Sequence, residues 1–427
     1  MPKNYTDYAQ EELKHLYTDL QTQFDQQKAC GVTYNLTRGL PSADMLDLAM
    51  PMLDILQSSS DYKSENGIDV RTYGTMEGIP EARRFMAELM DVPAESVMVG
   101  GNSSLILIHG VISTAYSKGL YNSPQPWSTL ETVKVLAPVP GYDRHFGMCS
   151  FYGIELVNVD MTATGPNMDQ VEELVKDPSV KGMFCVPKYS NPTGITYSDE
   201  TVNRLANLKP ASADFCIFYD NAYAVHDFDE ANKDVLLPIY PALEKAGNTN
   251  MVIQFSSTSK ITFPGGGIVG LSTGTQQLNY LLGYFATHTI SFDKINQLRH
   301  VRFLQDKQGI EAIMKKAMAI AAPKFAACIN IFEKELAVTG SHWTTPQGGY
   351  FISFDTAPGL ATVVTHLAKE AGLALMLPGS TYPYYQDPMD SNIRIAPTAV
   401  SLTDIKNAIG VFALCVKLAT VKKLLNP

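Results

Sequence analysis

The order of apolar runs predicts an α/β protein. Its large domain is built on a mostly parallel sheet of the seven-stranded type flanked by helices, and a smaller α+β domain lies beside it. Three observations carry this expectation. From about residue 80 to residue 272, short apolar runs alternate with helical patterns. Those runs are closed by turn residues. Past residue 306 the alternation gives way to one long helical stretch and then a mixed region. At 427 residues the chain is long enough for about two to three domains of ~150 residues.

In chain order, residues 4–29 read as helical, and the turn-rich Thr37-Arg38-Gly39-Leu40-Pro41-Ser42 ends that segment. A helix is expected over 81–90, a short strand over 96–99 closed by Gly100-Gly101, and a helix over 105–116. Strands at 132–136 and 155–159 precede a helix over 168–175 that starts behind Gly165-Pro166. The runs 182–186, 215–219 and 251–255 are short, apolar and turn-bounded, as strands covered on both faces are. A helix is expected over 306–337, whose single proline is Pro323, then strands at 349–354 and 392–396 and helices at 360–371 and 402–425. This places a large domain at 51–305 and a small one built from 1–50 and 306–427.

Composition narrows the function. Apolar residues make up 45% and charged residues 18%, the profile of a globular chain. With 33 Lys and Arg against 43 Asp and Glu the net charge is −10, and no basic block offers the face that phosphate contacts need, which argues against nucleic acid as a partner. No apolar run approaches the ~20 residues of a membrane span. The first twelve residues carry no apolar core of a secretory signal, so a cytoplasmic protein without membrane contact is expected. The six cysteines are far apart and include no Cys-x-x-Cys pair, so reduced, mostly buried thiols are expected rather than disulfides. The eight histidines are scattered without a His-Glu-x-x-His pair, so no metal site is expected.

Ligands of open α/β sheets sit beyond the carboxyl ends of strands, so polar residues there are the candidates. Four places qualify. Gly100-Gly101-Asn102-Ser103-Ser104 lies between a strand and a helix, with glycines for a tight turn and N–H and hydroxyl donors that suit a phosphate. An ordinary glycine turn with a serine N-cap reads the same way. Asn191-Pro192-Thr193-Gly194 is by itself a plain turn. In Tyr219-Asp220-Asn221-Ala222-Tyr223 a carboxyl group ends an apolar strand, where burial demands a cationic or hydrogen-bonding partner. Ser256-Ser257-Thr258-Ser259-Lys260 ends another, placing an amine that can attack a carbonyl.

As an ordered set these places resemble the fold-type I pyridoxal-phosphate aminotransferases: phosphate loop, aromatic, Asn-Pro-Thr-Gly, Asp-x-Ala-Tyr, Ser-x-x-Lys and a late arginine. The stretches 35–42, 140–146, 293–300 (Asp293-Lys294-Ile295-Asn296-Gln297-Leu298-Arg299-His300) and 392–398 look like the type Ic, or MocR-type, aspartate aminotransferase branch. The resemblance covers the chain from about residue 30 onward. It implies pyridoxal 5′-phosphate as cofactor, amino acid and 2-oxo acid substrates, and a homodimer. Lys260 would hold the cofactor aldehyde covalently and then carry the proton. Asp220 would pair with the ring nitrogen, Asn191 and Tyr223 would bond the phenolic oxygen, and Tyr142 would stack on the ring. Gly101, Asn102, Ser103 and Ser257 would supply phosphate donors. Tyr73 would reach the phosphate in the neighbouring subunit. Arg394 would clamp the substrate carboxylate in a pocket lined by Gly39 and Asn191.

One position departs from the broader family, which has an arginine about eight residues after the lysine to bind the phosphate. Here that position is Ile268, within Gly265-Gly266-Gly267-Ile268-Val269-Gly270. The glycine pattern also spells the dinucleotide fingerprint Gly-x-Gly-x-x-Gly, but Pro264 precedes it and a strand-like run overlaps its end, the reverse of the strand-to-helix context required. Ser257-Thr258-Ser259-Lys260 also spells Ser-x-x-Lys, without the later Ser-Asp-Asn and Lys-Thr-Gly elements of penicillin-binding enzymes. A MocR-type transcription regulator would need a DNA-binding domain for which the ~30 residues before Asn35 leave no room. Transamination of aspartate or glutamate is the expected activity. A β-lyase reaction, or an aromatic or apolar amino donor, stays open, with Arg299, Lys294 and Arg38 as candidate partners of an acidic side chain.

Overall fold

A computed structural model describes residues 3–426. The strands in chain order are β1 (Tyr34–Asn35), β2 (Val97–Val99), β3 (Lys134–Val139), β4 (Glu155–Thr162), β5 (Gly165–Pro166), β6 (Val180–Cys185) and β7 (Cys216–Asp220). They continue with β8 (Val252–Ser257), β9 (Val269–Ser272), β10 (His342–Trp343), β11 (Ile352–Asp355), β12 (Leu373–Ala374) and β13 (Asn392–Ile395). The main sheet has the order β2-β9-β8-β7-β6-β3-β4-β5. Seven of its strands form the sheet the sequence predicts, and the eighth, the two-residue β5, is an antiparallel edge. From β8 to β4 every neighbouring pair is parallel.

This order sets where a ligand can lie. From β3 the chain moves outward to β4, then returns to β6 on the other side and continues to β7 and β8. The sheet therefore has its topological switch between β3 and β6, the crevice position for ligands in such folds. Because β3, β6, β7 and β8 run the same way, their carboxyl ends share one edge. The antiparallel β9 starts at that edge and β2 ends there. The main strands are lined by residues such as Phe218, Ile253, Phe255 and Leu271, all fully buried, which explains their apolar, non-alternating sequences.

A second core forms around the three-stranded antiparallel sheet β10-β11-β13. Leu13, Leu20 and Phe24 of the helix Gln10–Cys30 meet Phe332, Phe354 and Phe412 there, so both chain ends share one apolar cluster. The helix Lys307–Glu335 bridges the cores: Ile310, Met314 and Met318 face the large-sheet side, whereas Phe325, Cys328 and Phe332 face the small one, with Pro323 between. The segment 349–351, expected within a strand, is irregular, and β11 begins only at Ile352. Gly349 adopts φ +79°, outside strand geometry, and its N–H bonds the carbonyl of His226. All six cysteines are free thiols, five of them buried. Among the described residues no helix is long and apolar enough to cross a membrane, and no cluster of three metal-ligating side chains occurs.

Candidate active site

The shared strand edge holds a cavity of about 200 Å³. Tyr142 reaches it from beyond β3, Asn191 from beyond β6, Asp220 from the end of β7, and Ser257 and Lys260 from the end of β8. Tyr223 and Gly39 complete the wall, and Ser103 and Ser104 close it at the start of the helix Ser104–Ser117. Asp220 is the one acid and Lys260 the one base lining it among the described residues. A larger cavity of about 390 Å³ lies elsewhere, around Asn207, Asp214 and Gln277, and contains none of the predicted residues.

The cavity has a polarity. Asp220 is buried, with Oδ2 3.2 Å from His145 Nε2 and, among the described residues, no partner for Oδ1. A buried carboxyl oxygen without a donor is costly unless a ligand supplies one. His145 is fixed in turn by stacking on Phe184 at a centroid distance of 4.5 Å and by an edge contact with Tyr142. Lys260 Nζ lies 4.6 Å from the centroid of the Tyr223 ring. Burial, then the neighbouring Asp220, raises the Tyr223 phenol above its ordinary pKa, with Arg394 opposing; burial pushes Tyr142 up to about 12. Both therefore stay neutral hydrogen-bond donors at physiological pH.

Arg394 arrives from β13, at the register position opposite Ser353 of β11. Its Nη1 bonds Asn191 Oδ1 at 3.2 Å and Asp143 Oδ1 at 3.4 Å, its Nη2 bonds the carbonyl of Thr37 at 3.0 Å, and Nε has no partner among the described residues. The guanidinium lies over the Phe351 ring at 4.5 Å. Gly39 is required beside it, because a Cβ there would fall 2.4 Å from that same ring.

Some predicted residues stand apart. Gly101, with φ +66°, shapes the turn but does not line the cavity, and Asn102 commits its amide to the carbonyl of Gly265 at 3.0 Å. Tyr73 is 80% exposed and lies outside the cavity of its own chain. Lys294 is buried and donates to the carbonyls of Thr72 and Gly74, and Arg299 donates to Asn296, so neither is free for a substrate carboxylate, whereas Arg38 is exposed beside Gly39. Ile268 is buried in the core. Sequence reasoning missed His145. Its signal was its place three residues after Tyr142 at a helix start, which turns both rings to one side.

Against known proteins, the chain matches the family described as aspartate amino-transferase over residues 8–427. It is 42% identical to an aspartate aminotransferase of Corynebacterium glutamicum over 98% of this chain and 97% of that protein. The crystal structure of an aspartate transaminase from that organism superposes with a TM-score of 0.95 at 42% identity, covering 99% of both chains. The α-aminoadipate aminotransferase of Thermus thermophilus, solved with N-(5′-phosphopyridoxyl)-L-leucine, shares the fold at TM-score 0.73 and 20% identity, over 92% of this chain and 93% of that one.

Proposed function

The chain belongs to the aspartate aminotransferase family, and from that premise we propose that it moves an amino group from aspartate or glutamate to a 2-oxo acid by a ping-pong route, using pyridoxal 5′-phosphate. The observation that carries this is the unpartnered Oδ1 of buried Asp220 in the same cavity as the Lys260 amine. A ring nitrogen bearing a proton fits the first and an aldehyde the second, while the hydroxyls of Ser103 and Ser257 suit a phosphate at the remaining wall.

When bound, the cofactor supplies a carbonyl to take the amino group and a ring that withdraws electrons from the substrate Cα. The chain does the rest. Asp220 holds a proton on the ring nitrogen while His145 fixes its other oxygen. Asn191 and the neutral Tyr223 hydroxyl donate to the phenolic oxygen. Lys260 Nζ would hold the cofactor aldehyde in the resting enzyme and, once the substrate amine has displaced it, would take the proton from the substrate Cα as a free amine. Tyr142 packs against the ring face and keeps water out. Arg394 clamps the substrate α-carboxylate, its Nε still free and its Nη1 contacts long. Arg38, the one of the three candidate cations not engaged by neighbours, takes the side-chain carboxylate.

We place the protein in the type Ic (MocR-type) branch as a cytoplasmic homodimer, with a large domain at 51–305 and a small one from 1–50 and 306–427. Tyr73, exposed on its own chain, would then complete the partner's phosphate site, and Gly101 and Asn102 would act through the turn that presents Ser103.

Borohydride reduction after adding the cofactor, with peptide mapping, tests the site: a pyridoxyl group on Lys260 is expected, and a label elsewhere or none overturns it. Single-turnover spectra across amino acids test the donor. Aspartate and glutamate are expected to discharge the cofactor fastest, and a preference for aromatic donors refutes the dicarboxylate assignment.

A further inference from the structure

The wall of the cavity assigned to phosphate offers the hydroxyls of Ser103 and Ser257 and, at the start of the helix Ser104–Ser117, the Ser104 N–H, all neutral donors, while Ser103 takes the N–H groups of Leu105 and Ile106. An anion held this way depends on donor placement, because a helix start acts as only about half a charge. In this chain the placement is set by a run of bonds behind the wall. Ser259 Oγ donates to the carbonyl of Asn102 at 2.7 Å, and Asn102 Nδ2 donates to that of Gly265 at 3.0 Å. A Cβ on Gly267 would sit 2.9 Å from the Ser259 nitrogen and 3.2 Å from the Asn102 carbonyl oxygen, so the glycine loop packs directly on both.

Behind the loop, buried Asn296 donates from Nδ2 to the carbonyls of Gly266 and Gly267 at 3.0 and 2.9 Å. Those two oxygens, which would repel an anion, are thereby committed away from the wall. Asn296 Oδ1 accepts from Arg299 Nη2 at 2.5 Å. Beyond that bond, Arg299 Nε is buried without a partner among the described residues. A guanidinium one amide away from a loop that shapes an anion site is placed to favour negative charge there.

We propose that Arg299, acting through Asn296, is the positioning residue for the cofactor's phosphate end. It works from behind the glycine loop, in which Ile268 itself is packed in the core and brings no charge to the cavity. This rests on the cofactor assignment above.

The test compares pyridoxal 5′-phosphate with pyridoxal, which lacks the phosphate, by equilibrium binding to the cofactor-free protein. Arg299→Met and Asn296→Ala are each expected to weaken pyridoxal 5′-phosphate about tenfold or more while pyridoxal changes less than about twofold. The double variant is expected to be no worse than Asn296→Ala alone, and Arg299→Lys to fall in between. Equal weakening of both ligands, or unchanged binding of the phosphorylated one, overturns the proposal. Should the larger changes prevent folding, Arg299→Lys and Asn296→Ser decide by the same ratio. Wild-type protein that does not distinguish the two ligands refutes the underlying cofactor assignment instead, a separate result.

Discussion

Arg394 shows how much of the site rests on single side chains. It is buried, stacks on Phe351, and meets Asn191, Asp143 and the carbonyl of Thr37, so its guanidinium plane is fixed. A lysine keeps the charge but cannot present a planar fork. Arg394→Lys is therefore expected to raise KM for the amino acid and the oxo acid together, on the order of tenfold to a hundredfold. Steady-state kinetics with each substrate varied checks this, and an unchanged KM removes the assigned role. Asp220 is the complementary case: one oxygen is held by His145 and the other is left for a ligand, so the group is oriented and available at once.

The strands deliver these residues at one end and are locked at the other. Asp214, just before β7, accepts from Lys181 of β6 at 2.9 Å, from Ser212 at 2.6 Å, from Trp127 Nε1 at 2.8 Å and from Ser123 at 2.6 Å. Burial alone would raise its carboxyl pKa, but these donors outweigh it and the net shift is downward. Asp214→Ala leaves the Lys181 ammonium buried and unpaired, and a loss of about 3–5 kcal/mol is expected in urea unfolding. Cofactor affinity of the folded fraction is expected to hold, because the cavity lies at the opposite strand ends. A variant with normal stability would show that the pair contributes nothing net.

At the scale of the molecule, two buried histidines link stability to pH. Burial, reinforced by Lys260, holds His226 down to about 3; burial, partly offset by a hydrogen bond to the carbonyl of Asn296, holds His300 down to about 4. Both are neutral when folded, while the unfolded chain binds protons near 6.5. Stability is therefore full above pH 6.5 and falls as pH drops toward 4, at about 1.4 kcal/mol per pH unit for each histidine. Urea midpoints between pH 7 and pH 5 are expected to fall accordingly, and His226→Phe to remove roughly half of that slope. An unchanged slope in the variant assigns the loss to other groups. The same scale brings Thr37, Gly39, Phe351 and Arg394, from distant parts of the chain, over the edge of the main sheet.

The sequence by itself determined the α/β class, the positions of the main strands to within a few residues, and the identity of Lys260, Asp220, Asn191, Tyr142 and Tyr223 as neighbours of one edge. The class, the strands and the polar groups Asp220 and Lys260 follow from local patterns of apolar runs and turn residues, whereas Asn191, Tyr142 and Tyr223 were marked only by the family resemblance. It also marked Arg394, but not what holds it. The tertiary structure alone decided that His145 faces Asp220, that Asn102 turns to the glycine loop, that residues 349–351 leave strand geometry, and that Lys294 and Arg299 are engaged by backbone and amide groups. Each of these depends on which distant segments the sheet order brings into contact. No periodicity along the chain encodes a hydrogen bond between residues scores of positions apart.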